Sequence, residues 1–327
     1  MPLLTVEGLQ VHFGQHENQV QALYDVDLTI EPGEIVGLVG ESGSGKTVTS
    51  LALMGLLDPR SSRIEGRAVL DGTPLWDEKG ERRTARRDVP MAMVFQEPMT
   101  ALDPVFTVGY QLIETLRVRR GMGKAQARTE SLSLLDAVGI SDPKARMRAY
   151  PHELSGGMRQ RVMIAIALAC DPKLLIADEP TTAVDVTIQA QLLDLIKSLA
   201  KERGMAVLFV THDLGVVSET CDRMITMYAG RIVERGPVAS VLASPGHPYT
   251  AGLLAALPSP ESRGGRLATI PGRVPPPGSV VEGCVFRPRC PFAADECALP
   301  QQLLPLSDAR EVRCIRSHEL DFEGVAS

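Results

Sequence analysis

The sequence predicts an α/β fold: a mostly parallel sheet covered by helices, β-rich at its start, with an inserted helical subdomain and a small loop-rich C-terminal appendage carrying cysteines. Three observations predict it. Apolar runs of strand length alternate with segments of helical periodicity up to about residue 235. A glycine-rich phosphate-loop pattern lies between one such run and one such helix. After about Gly236 the periodicity fades, Pro and Gly multiply, and four cysteines follow.

The elements follow in order. Short apolar or alternating runs punctuated by Gly, Asp and Pro, Leu9 to His12 among them, make roughly the first 75 residues β-rich. Glu34 to Gly40 (EIVGLVG) reads as a buried strand, Thr47 to Leu57 as a helix, and Met91 to Phe95 as another strand. From about Pro98 to Ala169 the pattern is helical, clearest over Val108 to Val118, Ala125 to Val138 and Met158 to Ala169. Leu174 to Ala177 and Ala206 to Val210 are apolar strands. Between them Ile188, Leu192, Ile196 and Leu199 recur at helical spacing, and Gly204 marks the stop. A linker is expected near 236–246, dividing a domain of residues 1–235, with its helical subdomain at about 98–169, from one of residues 236–327.

Composition narrows the class. Of 327 residues, 44% are hydrophobic and 23% charged, an ordinary balance for a chain with a sizeable core. Aromatics are only 4%, so aliphatic side chains carry the packing. The net charge of −6 offers no overall nucleic-acid-binding surface. No run reaches the 18 or so apolar residues of a membrane span; Val162 to Cys170 is too short. The N-terminus lacks the basic start and apolar core of a secretion signal, so the chain is expected in the cytoplasm, with any membrane role exercised through partners.

Gly40-Glu41-Ser42-Gly43-Ser44-Gly45-Lys46-Thr47 fits G-x-x-x-x-G-K-[ST] in the right context, after a buried strand and opening a helix. The glycines let backbone N–H groups turn toward phosphate oxygens, and the helix N-terminus adds partial positive charge. Lys46 is expected on the β- and γ-phosphates and the Thr47 hydroxyl on Mg²⁺. Asp178 and Glu179 end an apolar strand, which places both carboxylates at the sheet edge where ligands of open α/β sheets bind. Asp178 is the candidate Mg²⁺ holder and Glu179 the candidate base for the attacking water. Ser155 is a good helix N-cap before Gly156 and Gly157, which allow close backbone approach to an anion.

Together these motifs resemble the nucleotide-binding subunit of ATP-binding-cassette (ABC) transporters, over about residues 3–235 and in that family's order. Gln96 matches its Q-loop, Ser155 to Gly157 its signature sequence, Asp185 its D-loop, and His212 its switch histidine. The resemblance implies a head-to-tail dimer that sandwiches ATP between one subunit's P-loop and the other's signature. It places His212 on the γ-phosphate and links Gln96 to the Mg²⁺ site and the membrane subunits. Phe13 is the candidate adenine-stacking aromatic, with Tyr24 as the alternative. Met158 departs from the Gln common at its place, while Ser155 and both glycines are intact.

The tail resembles the dipeptide and oligopeptide importers within that family. The residues that carry this are His247-Pro248-Tyr249-Thr250, Leu253 to Pro258, Tyr150 to Leu154 and the P-loop itself. The resemblance implies two integral-membrane permeases, a second ABC ATPase (a paralogue, giving a heterodimer), an extracytoplasmic solute-binding protein, and a peripheral position on the cytoplasmic face of the inner membrane. Nickel importers share the branch and remain an alternative, as does a soluble ABC ATPase acting elsewhere. Cys284, Cys290, Cys297 and Cys314 are separated by five, six and sixteen residues, unlike the close pairs of common zinc sites. The resemblance implies that they hold a 4Fe–4S cluster; zinc or unliganded thiols are the other readings. Cys170 and Cys221 read as small core residues.

Overall fold

A computed structural model describes residues 1–14, 19–76, 89–96, 101–181, 185–257, 269–279, 283–307, 309–320 and 322. Along the chain come β1 (Leu4–Phe13), β2 (Val20–Ile30), β3 (Ile35–Val39), α1 (Lys46–Met54), β4 (Ser62–Leu70), β5 (Thr73–Pro74) and β6 (Met91–Val94). Then follow α2 (Val108–Arg120), α3 (Lys124–Ala137), α4 (Gly156–Ala169), β7 (Leu174–Asp178), α5 (Val186–Arg203) and β8 (Ala206–Thr211). The last third holds α6 (Leu214–Thr220), β9 (Arg223–Tyr228), β10 (Arg231–Pro237), α7 (Val238–Ala243), α8 (Pro248–Ala255), β11 (Leu304–Ser307) and β12 (Arg310–Val312). The chain divides into two units, each discontinuous in sequence. One holds Glu31–Glu34 and the described residues 89–208, the other residues 2–30, 35–76 and 209–322.

In the first unit β6 and β7 pair in parallel, Met91 beside Leu174 through Val94 beside Ala177. Every residue of both strands is buried, which is why they read as unbroken apolar runs rather than as alternation. Helices α2, α3 and α4 pack against one another, and α4 also covers β6. Their buried faces include Leu112, Leu116, Leu134, Leu135, Val162 and Leu168. Thr107 caps α2 through a bond from the Tyr110 N–H, and Gly121 ends it in the left-handed region, so the helix runs two residues past the expected Val118. The helical stretch expected from Pro98 begins within 97–100, which lie outside the described residues. Leu192, Ile196 and Leu199 bury one face of α5, and Gly204 stops it as the spacing predicts.

In the second unit β1 pairs antiparallel with β2 and with β4, and β4 with β5, forming the β-rich start. A separate ladder joins β3 and β9 in parallel and continues antiparallel through β10 and β12 to β11. One core cluster gathers Val39, Leu214, Val217, Met224, Val238, Val241 and Leu254. A second gathers Tyr228, Val233, Tyr249, Val285 and Phe286, with Cys284 and Cys290 against it. Where a linker is expected, near 236–246, Pro237 ends β10 and Val238–Ala243 form a helix whose Val238 and Val241 are buried. The stretch is too short and too polar in its flanks for periodicity to betray it.

Candidate active site

Buried strand β3 delivers the chain at Val39 into the glycine-rich loop, and α1 opens at Lys46. Gly40 has φ +153°, and a side chain there would meet the Met227 carbonyl at 2.3 Å. Gly45 caps α1 at φ +109°, with Leu23 only 2.8 Å from where a Cβ would sit. Both positions therefore demand glycine. No side chain caps this end of α1 and no acidic residue occupies its first turn, so its positive end remains available to an anion. The Lys46 ammonium is buried, donating to the carbonyls of Gly40 at 2.7 Å and Glu41 at 3.1 Å. Ser42, Gly43 and Thr47 form the exposed rim, whereas Ser44 is buried and its carbonyl accepts the Gly230 N–H at 2.8 Å.

Beside Gly43 opens a cleft of ≈330 Å³, lined by Gln21, Ala22, Tyr24, Arg231 and the Pro275–Ser279 segment among others. Arg231 lies over the Tyr24 ring at 4.7 Å, a cation–π contact. Of the two candidate aromatics, Tyr24 lines this cleft; Phe13 ends β1, paired with Val20 and Ser62. In the same unit His212 is exposed at the end of β8, just before Asp213 caps α6 through the Gly215 and Val216 N–H groups.

The first unit holds the remaining candidates. Asp178 is buried at the end of β7. Glu179 follows at φ +45°, and its Oε2 accepts a bond from Gln96 Nε2 at 3.2 Å. Among the described residues six non-glycines have positive φ, and four are Asp, whose short side chain tolerates that region; Glu does not share this tolerance. A carboxylate held in such backbone at a strand end is a mark of a functional position. Ser155 caps α4 by accepting from the Met158 N–H at 3.3 Å and is exposed with Gly156. Gly157 sits where a Cβ would meet Ile188 at 3.2 Å, so α4 and α5 approach closely there. Asp185 is exposed and caps α5 through the Ile188 N–H at 2.9 Å; residues 182–184 of its motif lie outside the described residues.

Gln160 is a site-adjacent residue that sequence reasoning passes over. It is buried on α4 and donates through Nε2 to the Pro180 carbonyl, tying the helix behind Ser155 to the segment that carries Glu179. Flanked by Arg159 and Arg161 at the polar start of the helix, it carries no signal in the sequence.

Cys284, Cys290, Cys297 and Cys314 line one small cavity together with His247, Phe286 and Phe292. Among the described residues no group of three or more His, Cys, Asp or Glu is drawn together as around a single metal ion. Burial pushes the thiols of Cys284 and Cys290 up, and that of Cys314 up to about 11. Burial and then the Arg313 charge push His247 down to about 3, and its Nδ1 accepts the Tyr249 N–H at 3.0 Å. The neutral ring thus caps α8. Cys170 and Cys221 are half-buried elsewhere and stand in no disulfide, Cys221 against the cluster around Val39.

Comparison with known proteins adds the context of relatives. The family pattern described as ABC transporter matches residues 23–182, and that described as oligopeptide/dipeptide transporter, C-terminal region, matches residues 233–297. A Brucella abortus protein provisionally named a peptide import ATP-binding protein is 50% identical over 334 residues, covering 98% of both chains. A Brucella suis protein of the same provisional name is 48% identical, covering 96% of this chain and 94% of its own. Among solved structures, cbiO1 of Clostridium perfringens, part of an ABC transporter complex, is 29% identical with TM-score 0.62, covering 74% of this chain and 91% of its own. The dimeric bacterial ABC transporter cassette MJ0796 is 30% identical with TM-score 0.61, covering 72% and 98%.

Proposed function

Because the chain belongs to the ABC transporter family, in its oligopeptide and dipeptide branch, we propose that it is the ATP-binding and hydrolysing subunit of a peptide importer. The observation that carries this is the phosphate loop: a buried strand ending in obligatory glycines, a buried lysine at its centre, and an uncapped helix end. Gly40 to Thr47 receive the triphosphate, with Lys46 moving from loop carbonyls to the β- and γ-phosphate oxygens. The nucleobase takes the cleft beside Gly43, stacked on Tyr24 or reached from Phe13.

Glu179 takes the proton of the attacking water, its orientation held by Gln96. His212 contacts the γ-phosphate from the end of β8. The donor set of Thr47 hydroxyl, Asp178 carboxylate and Gln96 amide oxygen is hard and oxygen-only, which fits Mg²⁺. Bound there, the ion supplies charge neutralisation of the phosphates. Exposed Ser155 and Gly156 and half-buried Gly157, with Asp185 capping the next helix, face a second ABC ATPase, a paralogue, whose ATP they close upon. A related cassette has been solved as a dimer bound to ADP and Pi, which supports this arrangement. No helix among the described residues is long and apolar enough to cross a membrane. In this reading the chain works peripherally, on the cytoplasmic face of the inner membrane, through two permeases fed by a solute-binding protein.

Four thiols around one cavity fit a 4Fe–4S cluster in donor number and chemistry. Binding would require loss of thiol protons that burial now holds. Anaerobically purified protein is expected to be brown, with iron and sulfide in stoichiometric amounts; colourless protein carrying one zinc would overturn the assignment.

The transport reading is tested in a strain lacking this chain, with labelled di- and oligopeptides and nickel offered in parallel. Peptide uptake is expected to fall and to return with the wild-type chain but not with Lys46→Ala. Unchanged peptide uptake, with nickel uptake lost, would contradict it.

A further inference from the structure

Glu41 lies within an anion-binding loop, where its carboxylate adds negative charge beside the phosphates that the loop receives. Its partner lies 248 residues away, between the cysteines. Arg289 Nη1 donates to Glu41 Oε2 at 2.7 Å and Nη2 to Oε1 at 3.0 Å, a two-oxygen fork. The remaining donors are also placed: Nε on the Pro271 carbonyl at 2.7 Å, Nη2 on the Ile270 carbonyl at 3.2 Å, and Nη1 on the Tyr228 hydroxyl at 3.4 Å. A guanidinium has five N–H groups, and here each has an acceptor. The Arg289 side chain is only 6% exposed, so this is a built contact rather than a surface pair.

The loop is gripped at the same residue by its backbone. The Glu41 N–H donates to the Tyr249 hydroxyl at 2.7 Å, and the Glu41 carbonyl accepts from Lys46. Tyr249 is fully buried and packs edge-on against Tyr228 and at a tilt against Phe286, in the cluster that Cys284 and Cys290 abut. Carboxylate, amide and carbonyl of one loop residue are thus each fixed, two of them from beyond residue 240.

We infer that Arg289 is a positioning residue for nucleotide binding: it neutralises Glu41 and holds the loop in its phosphate-receiving form, making the C-terminal region part of the ATP site. The inference rests on the ATP-binding reading above. A lysine cannot reproduce the fork, and an apolar residue would leave a carboxylate unpaired against the phosphates.

The test is titration of the purified full-length chain with a fluorescent ATP analogue, followed by steady-state hydrolysis in the assembled transporter. R289M is expected to bind about tenfold more weakly or worse, with KM for ATP raised and kcat unchanged. The double variant R289M/E41Q is expected to recover affinity relative to R289M, because the unpaired charge is gone; a brace without an electrostatic role would show no such rescue. If R289M does not fold, R289K carries the test, with an expected loss of about threefold. Wild-type affinity in R289M or R289K, or a double variant as weak as R289M, would overturn the inference. A wild-type chain that binds no ATP would instead sink the ATPase reading itself.

Discussion

Glu179 stands at φ +45° directly after a fully buried strand, without the short side chain that lets Asp25, Asp71, Asp142 and Asp171 tolerate that region. Backbone tension there, with Gln96 on the carboxylate, is consistent with a group whose placement matters more than its stability. Glu179→Gln keeps size and hydrogen bonding but cannot accept the water proton. Hydrolysis in the assembled complex is expected to fall by about 10²–10⁴-fold while ATP binding persists, read by turnover alongside equilibrium binding. Full turnover in this variant would remove Glu179 from the role of base. At this scale the sequence was legible where the chemistry is contiguous: the P-loop puts eight residues in a row, and Asp178-Glu179 follow one apolar run. Gln160 and Arg289 were not, because their partners, Pro180 and Glu41, are set by tertiary packing.

Helix ends and strand edges carry the next level of organisation. Ser155 satisfies a first-turn N–H of α4, so Ser155→Ala is expected to cost about 1 kcal/mol in denaturant unfolding. A drop of several kcal/mol would mean that the serine supports more than the cap. Strand β12 docks on β10 through Arg310 and Glu234, whose side chains are 11% and 1% exposed. Glu234 also accepts the N–H groups of Gly246 and His247. Arg310→Met would strand that carboxylate and is expected to destabilise the chain by about 3–5 kcal/mol in urea melts. An unchanged midpoint would show that the β11–β12 hairpin is dispensable. The strands and long helices were readable from periodicity, with their ends moved by caps that periodicity does not encode. Helix α7 was hidden by its length: six residues give less than two turns of pattern.

Over the whole chain, family membership, near-complete coverage by peptide-import relatives and the loop geometry converge on one reading, a transport ATPase. The cysteines illustrate the limit of a sequence. Their irregular spacing gave no fold of its own, yet all four line one cavity once β12 brings Cys314 back beside β10. The most direct test of the central claim is an affinity pull-down of the tagged chain from native membranes in mild detergent, with mass spectrometry of what accompanies it. Two integral-membrane permeases and a second ABC ATPase are the predicted companions. Ribosomal or DNA-associated proteins without a permease would contradict the claim.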